Sequence, residues 1–170
     1  FPENDELLKN NPLKPEGDIL VLAGDIVPLS QIEGHTSFFD YLSGHFKTTW
    51  WIPGNHEYYH SDITERGLFL NEKIRENVFL VNNLSVRSGN VNFLFSTLWT
   101  RINPIYQYEL RLRYSDFHVI RNNGRDLTVE QYNRMHESCL SFLKEELGRE
   151  KKGITIVVTH HMPTFLNYSE

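Results

Sequence analysis

Three short polar clusters each follow an apolar run in this 170-residue chain. Gly24-Asp25 follows Ile19–Ala23, Gly54-Asn55-His56-Glu57 follows Thr48–Ile52, and Thr159-His160-His161 follows Ile154–Val158. Together they offer a carboxylate, an amide oxygen and several imidazoles. That mixture suits divalent Mn, Fe, Zn or Ni better than a thiolate set would. Gly24 and Gly54 let the backbone turn sharply and approach a metal closely. Taken singly, each cluster has a plainer reading. Asp25 behind a strand reads, by itself, rather as a helix N-cap, and His160 and His161 as core or surface histidines. The order of the three, each directly behind an apolar run, favours a site.

The elements that must position these residues come next. Near-continuous apolar character in Ile19–Ala23 predicts a strand covered on both faces, as in parallel sheets. Thr48–Ile52 is β-branched and aromatic and stops at Pro53-Gly54. Val91–Phe95 and Ile154–Val158 read as further strands. From Thr128 the apolar residues Val129, Tyr132, Met135, Cys139, Phe142, Leu143 and Leu147 recur at helical spacing. Thr128 with Gln131 makes a capping box, and Gly148 stands where a left-handed terminator would sit. Further helices are expected over Ser30–Phe46 and Ser61–Glu76. Strands alternating with helices predict an α/β domain. In open α/β sheets ligands bind outside the carboxyl ends of the strands, where the three clusters would meet.

Composition limits the partners. Hydrophobic residues are 39% and charged residues 23%, and 17 basic against 22 acidic side chains give a net charge of −5. A protein held by nucleic-acid phosphates shows a basic excess or stripe; Arg111, Arg113, Arg121 and Arg125 come nearest, and they read as solvated surface charge. No apolar run approaches the ~20 residues of a membrane span, and no export leader opens the chain. The single cysteine, Cys139, fits a reducing, cytoplasmic setting. Nothing bears on oligomeric state. The chain opens on Phe1 rather than Met, so it reads as processed or as a fragment.

With these residues in hand, the chain resembles the calcineurin-like metallophosphoesterases. Gly24-Asp25, then Gly54-Asn55-His56-Glu57, then Val158-Thr159-His160-His161 match the family's middle three motifs in order. Thr97-Leu98-Trp99-Thr100 and Arg113–Phe117 look like a branch of small phosphohydrolases, and the likeness runs from Gly17 to Pro163. The resemblance implies two mixed β-sheets sandwiched between helices, in a single catalytic domain over residues 1–170. It implies two divalent ions (Mn, Fe, Zn or Ni) and hydrolysis of a phosphate mono- or diester of a small molecule by a bridging hydroxide. Asp25 would bridge the ions, and Asn55 and His160 would ligate the second. His56 would stabilise the phosphoryl oxygens and protonate the leaving oxygen. His160 is favoured over His161 because it comes directly off the strand while His161 points to the opposite side. His161 and Arg101 are candidate substrate contacts; Arg101 also reads as a surface cation, and Tyr58-Tyr59 as a pocket wall or as packing.

Two family motifs are not found. An Asp-x-His pattern is expected at or just before Phe1, and a Gly-His-x-His pattern after His161. The resemblance then implies that the family's first and last strands are lacking, that sheet edges are exposed and that the isolated chain is inactive. Alternatives are a nuclease of the same superfamily, a non-catalytic scaffold with the same fold, and a structural metal-binding module.

Overall fold

A computed structural model describes residues 10, 13–164 and 166. The expected position of the Asp-x-His motif lies outside the described residues. Strands β1 (Ile19–Ala23) and β2 (Thr48–Ile52) form from the two apolar runs and pair in parallel, Ala23 opposite Ile52. They are followed by β3 (Leu70–Arg75), β4 (Val78–Asn82), β5 (Leu84–Ser88) and β6 (Val91–Ser96). A short hairpin joins β7 (Arg121–Asn122) to β8 (Arg125–Asp126), and β9 is Ile154–Thr159. One sheet has the order β1-β2-β4-β3 and the other β5-β6-β9. Each mixes parallel and antiparallel neighbours.

Period-two alternation makes the two sheets a sandwich. On β2, Trp50 and Ile52 face one hydrophobic cluster and Trp51 the other; on β6, Phe93 and Phe95 divide from Leu94 in the same way. The smaller cluster, with Val81 and Phe79 of β4, lies between the sheets. The larger one lies under helices α1 (Thr36–His45) and α4 (Val129–Gly148). Phe39 and Leu42 of α1 are fully buried, each contributing about 1.5–3 kcal/mol by removal from water. Phe39 meets Trp51 at a ring separation of 5.5 Å. The apolar stripe of α4 buries Tyr132, Met135, Cys139 and Leu143. Its capping box is formed on both sides, by Thr128 and Gln131. Two short helices, α2 (Gln107–Arg113) and α3 (Asp116–Val119), lie between β6 and β7.

Several expectations are corrected. Ser61–Glu76 is not a helix but a 3-10 turn, Ile63–Glu65, followed by β3. Gly67 takes φ +73° and breaks the run. Leu70 then finds its partner in Asn82, a long-range pairing that no local pattern reveals. Ser30–Phe46 is divided into a 3-10 segment, Leu29–His35, and α1. Gly148 is the last residue of α4 and has no left-handed φ; Arg149 leaves in extended conformation and bonds back to Glu145 and Glu146. Leu147 falls off the stripe and is exposed. The run read as doubly covered, Ile19–Ala23, is less buried than expected. In β1 only Leu22 is buried, and in β9 Ile154, Ile156 and Val157 are exposed. Both are edge strands among the described residues.

Candidate metal centre

The carboxyl ends of β1, β2 and β9 meet at one edge of the sandwich, and a buried carboxylate ties two of them together. Gly24 and Asp25 both adopt left-handed φ, +95° and +58°. A non-glycine residue there is strained by about 1–3 kcal/mol. The bend aims the N–H groups of Asp25 and Ile26 at Glu57, which is fully buried. Glu57 Oε2 accepts from Asp25 N at 2.8 Å and Gly54 N at 2.7 Å; Oε1 accepts from Ile26 N at 2.5 Å and the Trp51 indole at 3.3 Å. Burial pushes the Glu57 carboxyl up, and the three backbone N–H groups pull against it. This is the structural role of the last residue in Gly54-Asn55-His56-Glu57, which sequence reasoning left without one.

Above this tie sit the candidate ligands. His160 Nδ1 lies 2.8 Å from the carbonyl oxygen of Ala23, so Nδ1–H donates and Nε2 keeps its lone pair. That Nε2 faces Asp25 Oδ1 at 3.5 Å. The same Asp25 oxygen accepts from His56 N at 3.2 Å, and His56 Nδ1 lies 3.8 Å from Asp25 Oδ2. The Asn55 side chain donates through Nδ2 to Asp116 Oδ1 at 2.8 Å, which leaves its oxygen as the atom for a cation.

The glycines make room for this arrangement. A Cβ on Gly54 would meet the His160 ring at 2.6 and 2.7 Å and also Asp25 Oδ1; one on Gly24 would meet His160 Cγ at 2.7 Å and Gly54 N at 2.8 Å. In donor type Asp25, Asn55 and His160 fit a divalent ion, and the two glycines leave space beneath Asp25 and His160. Among the described residues no three His, Cys, Asp or Glu side chains form a metal cage. The set is one carboxylate, one imidazole and one amide, unlike the four-ligand closure of a structural zinc site.

The remaining candidates are placed differently. The two histidine rings do not lie on opposite sides: His161 stands perpendicular to His160 at 4.8 Å, because strand pairing ends at Thr159 and the pair occupies the turn beyond. His161 Nδ1 lies 3.3 Å from Thr97 O, and its ring is 5.7 Å from that of Trp99. Burial, and then the neighbouring His160, hold its pKa below the usual imidazole range. Thr97 joins the sheets through Oγ1–H donated to Pro53 O at 2.7 Å. Arg101 is exposed and lies 4.0 Å from Glu137 of α4. Sequence reasoning missed Asp116, which is 2% exposed; only its place in the Arg113–Phe117 stretch hinted at it.

A family model described as calcineurin-like phosphoesterase matches residues 1–170, so the chain belongs to that family. Its members are in general phosphoester hydrolases, and they usually bind divalent metals. An uncharacterized protein of Acanthamoeba polyphaga mimivirus is 26% identical over 139 residues, covering 75% of this chain and 49% of the relative. The chain thus spans about half the length of that relative. No solved structure gives a significant match. Among the described residues no helix is long and apolar enough to cross a membrane.

Proposed function

We propose that the protein hydrolyses a phosphate mono- or diester of a small molecule with two divalent ions, Mn, Fe, Zn or Ni, that share Asp25. Asn55 and His160 would ligate one of them. The observation that carries this reading is Asp25 Oδ1 facing His160 Nε2 at 3.5 Å over two glycines, with the tautomer of His160 set by Ala23 O. When bound, the ions would polarise the phosphate and generate hydroxide near neutral pH for in-line attack. The chain's own residues supply the rest. Glu57 holds the turns that bear Asp25 and Asn55 in register. His56, whose side chain is 42% exposed beside Asp25, is open to a substrate and is the proton donor to the leaving oxygen. His161 and Arg101 are proposed phosphate contacts. The net charge of −5 supports a small substrate over nucleic acid, and the lone Cys139, fully buried, supports a cytoplasmic setting.

The test is hydrolysis of p-nitrophenyl phosphate and its bis-ester, with Mn, Ni or Zn added, by this chain and by one extended at both ends. The reading expects metal-dependent turnover in the extended form alone, lowered about 100-fold or more by His56→Ala or Asn55→Ala; robust turnover by residues 1–170 themselves, abolished by Asp25→Ala, would mean that the site is misassigned. No turnover in either form, together with no bound metal, would move the protein to the non-catalytic scaffold.

A further inference from the structure

Asp116 opens α3, a four-residue helix far from the three motifs in sequence, yet its carboxylate is buried against them. One oxygen accepts twice: from Asn55 Nδ2 at 2.8 Å and from the Tyr59 hydroxyl at 2.9 Å. The two donors lead to different parts of the site. An amide has a donor end and an acceptor end, so committing the Asn55 nitrogen to Asp116 decides that the oxygen is the end offered to a cation. Tyr59 reaches the other part, for its ring lies against the His56 imidazole with centroids 4.4 Å apart and planes at 34°.

The segments carrying these residues are stitched together just beyond them. His60 N donates to Val119 O at 2.8 Å, Arg121 N to Ser61 O at 3.0 Å, and Gly124 N to Asp62 Oδ2 at 2.6 Å. Those bonds already hold the end of α3 and the hairpin that follows it against residues 60–62. Asp116 is therefore not needed merely to join the two segments, and its placement is directed at the side chains of the site.

We propose that Asp116 and Tyr59 are positioning residues: Asp116 sets which atom of the Asn55 amide faces the metal, and Tyr59, anchored on the same oxygen, holds the plane of His56. This rests on the reading of Asn55 as a ligand and His56 as the acid. The branches separate by mutation. Asp116→Ala cuts both, while Tyr59→Leu removes the ring against His56 and leaves the Asn55 bond intact. Tyr59→Phe keeps the ring and loses only its anchor. Asp116→Asn keeps an oxygen acceptor in place.

The experiment, on the chain extended at both ends, combines calorimetric titration with Mn2+, steady-state hydrolysis of p-nitrophenyl phosphate, and NMR of the Asn55 side-chain amide in metal-free protein. Asp116→Ala should weaken Mn2+ binding roughly 10–100-fold, with Asp116→Asn recovering most of the loss. Tyr59→Leu should leave Mn2+ affinity and KM within about twofold and lower kcat about tenfold or more, with a smaller fall for Tyr59→Phe. Wild-type Mn2+ affinity in Asp116→Ala, no rescue by Asp116→Asn, or parallel losses of affinity and kcat in Tyr59→Leu would overturn the inference. If the wild type binds no Mn2+, the proposed function fails, and the NMR arm then decides the positioning claim alone. Slowly exchanging Asn55 amide protons in wild type and Asp116→Asn, lost in Asp116→Ala, uphold it; protons already averaged in the wild type overturn it.

Discussion

His160 Nδ1 lies 2.8 Å from the backbone oxygen of Ala23, 137 positions earlier in the chain. The last residue of β1 thereby orients an imidazole that follows β9, in the other sheet. Backbone carbonyls commonly orient metal-binding histidines in this way, fixing which nitrogen is left to ligate. Here the nitrogen left over is the one that faces Asp25.

Gly54→Ala tests the cradle under that pair. Gly54 has no left-handed φ, so alanine is opposed only by what its Cβ meets, the His160 ring and Asp25 Oδ1. Both are side-chain atoms that can move aside, and moving them spoils the donor geometry. The expected outcome is Mn2+ affinity lowered roughly 10–100-fold while unfolding free energy changes by less than about 1 kcal/mol. Calorimetry and urea unfolding on the same samples measure both; unchanged affinity would count against the cradle.

Glu57→Gln tests the tie between β1 and β2. The carboxylate accepts from Asp25, Ile26, Gly54 and the Trp51 indole. An amide of the same shape must turn an N–H2 toward two of those donors. Hydrogen bonds to a charged acceptor contribute about 1.5–3 kcal/mol each, so a loss of about 2–4 kcal/mol is expected in urea unfolding. A loss below about 0.5 kcal/mol would mean the tie is dispensable.

Asp62 sets an acid dependence of stability. Its carboxylate accepts from Thr64 Oγ1 and N, Gly124 N and Asn123 N. The Thr64 hydroxyl first, and then the Gly124 N–H, hold its pKa down at about 2 against an ordinary 3.8. A carboxylate depressed in the folded state contributes stability that is fully present above the unfolded value and is lost as pH falls through the folded one. Asp62→Asn should therefore melt below the wild type near pH 6, with the gap closing between about pH 4 and pH 2. The side chain is partly exposed, so solvent screening keeps the gap small. A gap that persists unchanged at about pH 2 would contradict the assignment.

Much of the frame was legible because its signals are local. β2 ends at Pro53-Gly54 as its composition predicts, and α4 begins at the Thr128–Gln131 capping box. Apolar runs marked β1, β6 and β9 as strands. What failed depends on distant partners. β3 lies at a sheet edge with polar residues on its open side, and its pairing with β4 is a register that no single segment encodes. β1 is less buried than its composition predicts for the same reason, since an apolar run shows what a strand can bury and not which neighbours cover it. At the site, motif residues with their own chemistry stood out. Asp116 did not, because an aspartate on a four-residue helix gains meaning only from the side chains packed on it.

The most direct measurement is anomalous scattering from crystals grown with Zn2+ or Mn2+. With Zn2+, an ion is expected about 2.0–2.2 Å from an Asp25 oxygen and about 2.0–2.1 Å from His160 Nε2, with the Asn55 oxygen turned toward it and its nitrogen still on Asp116. A metal elsewhere on the molecule, with Asp25 and His160 uncoordinated at saturating concentration, would show that these residues do not form the metal centre.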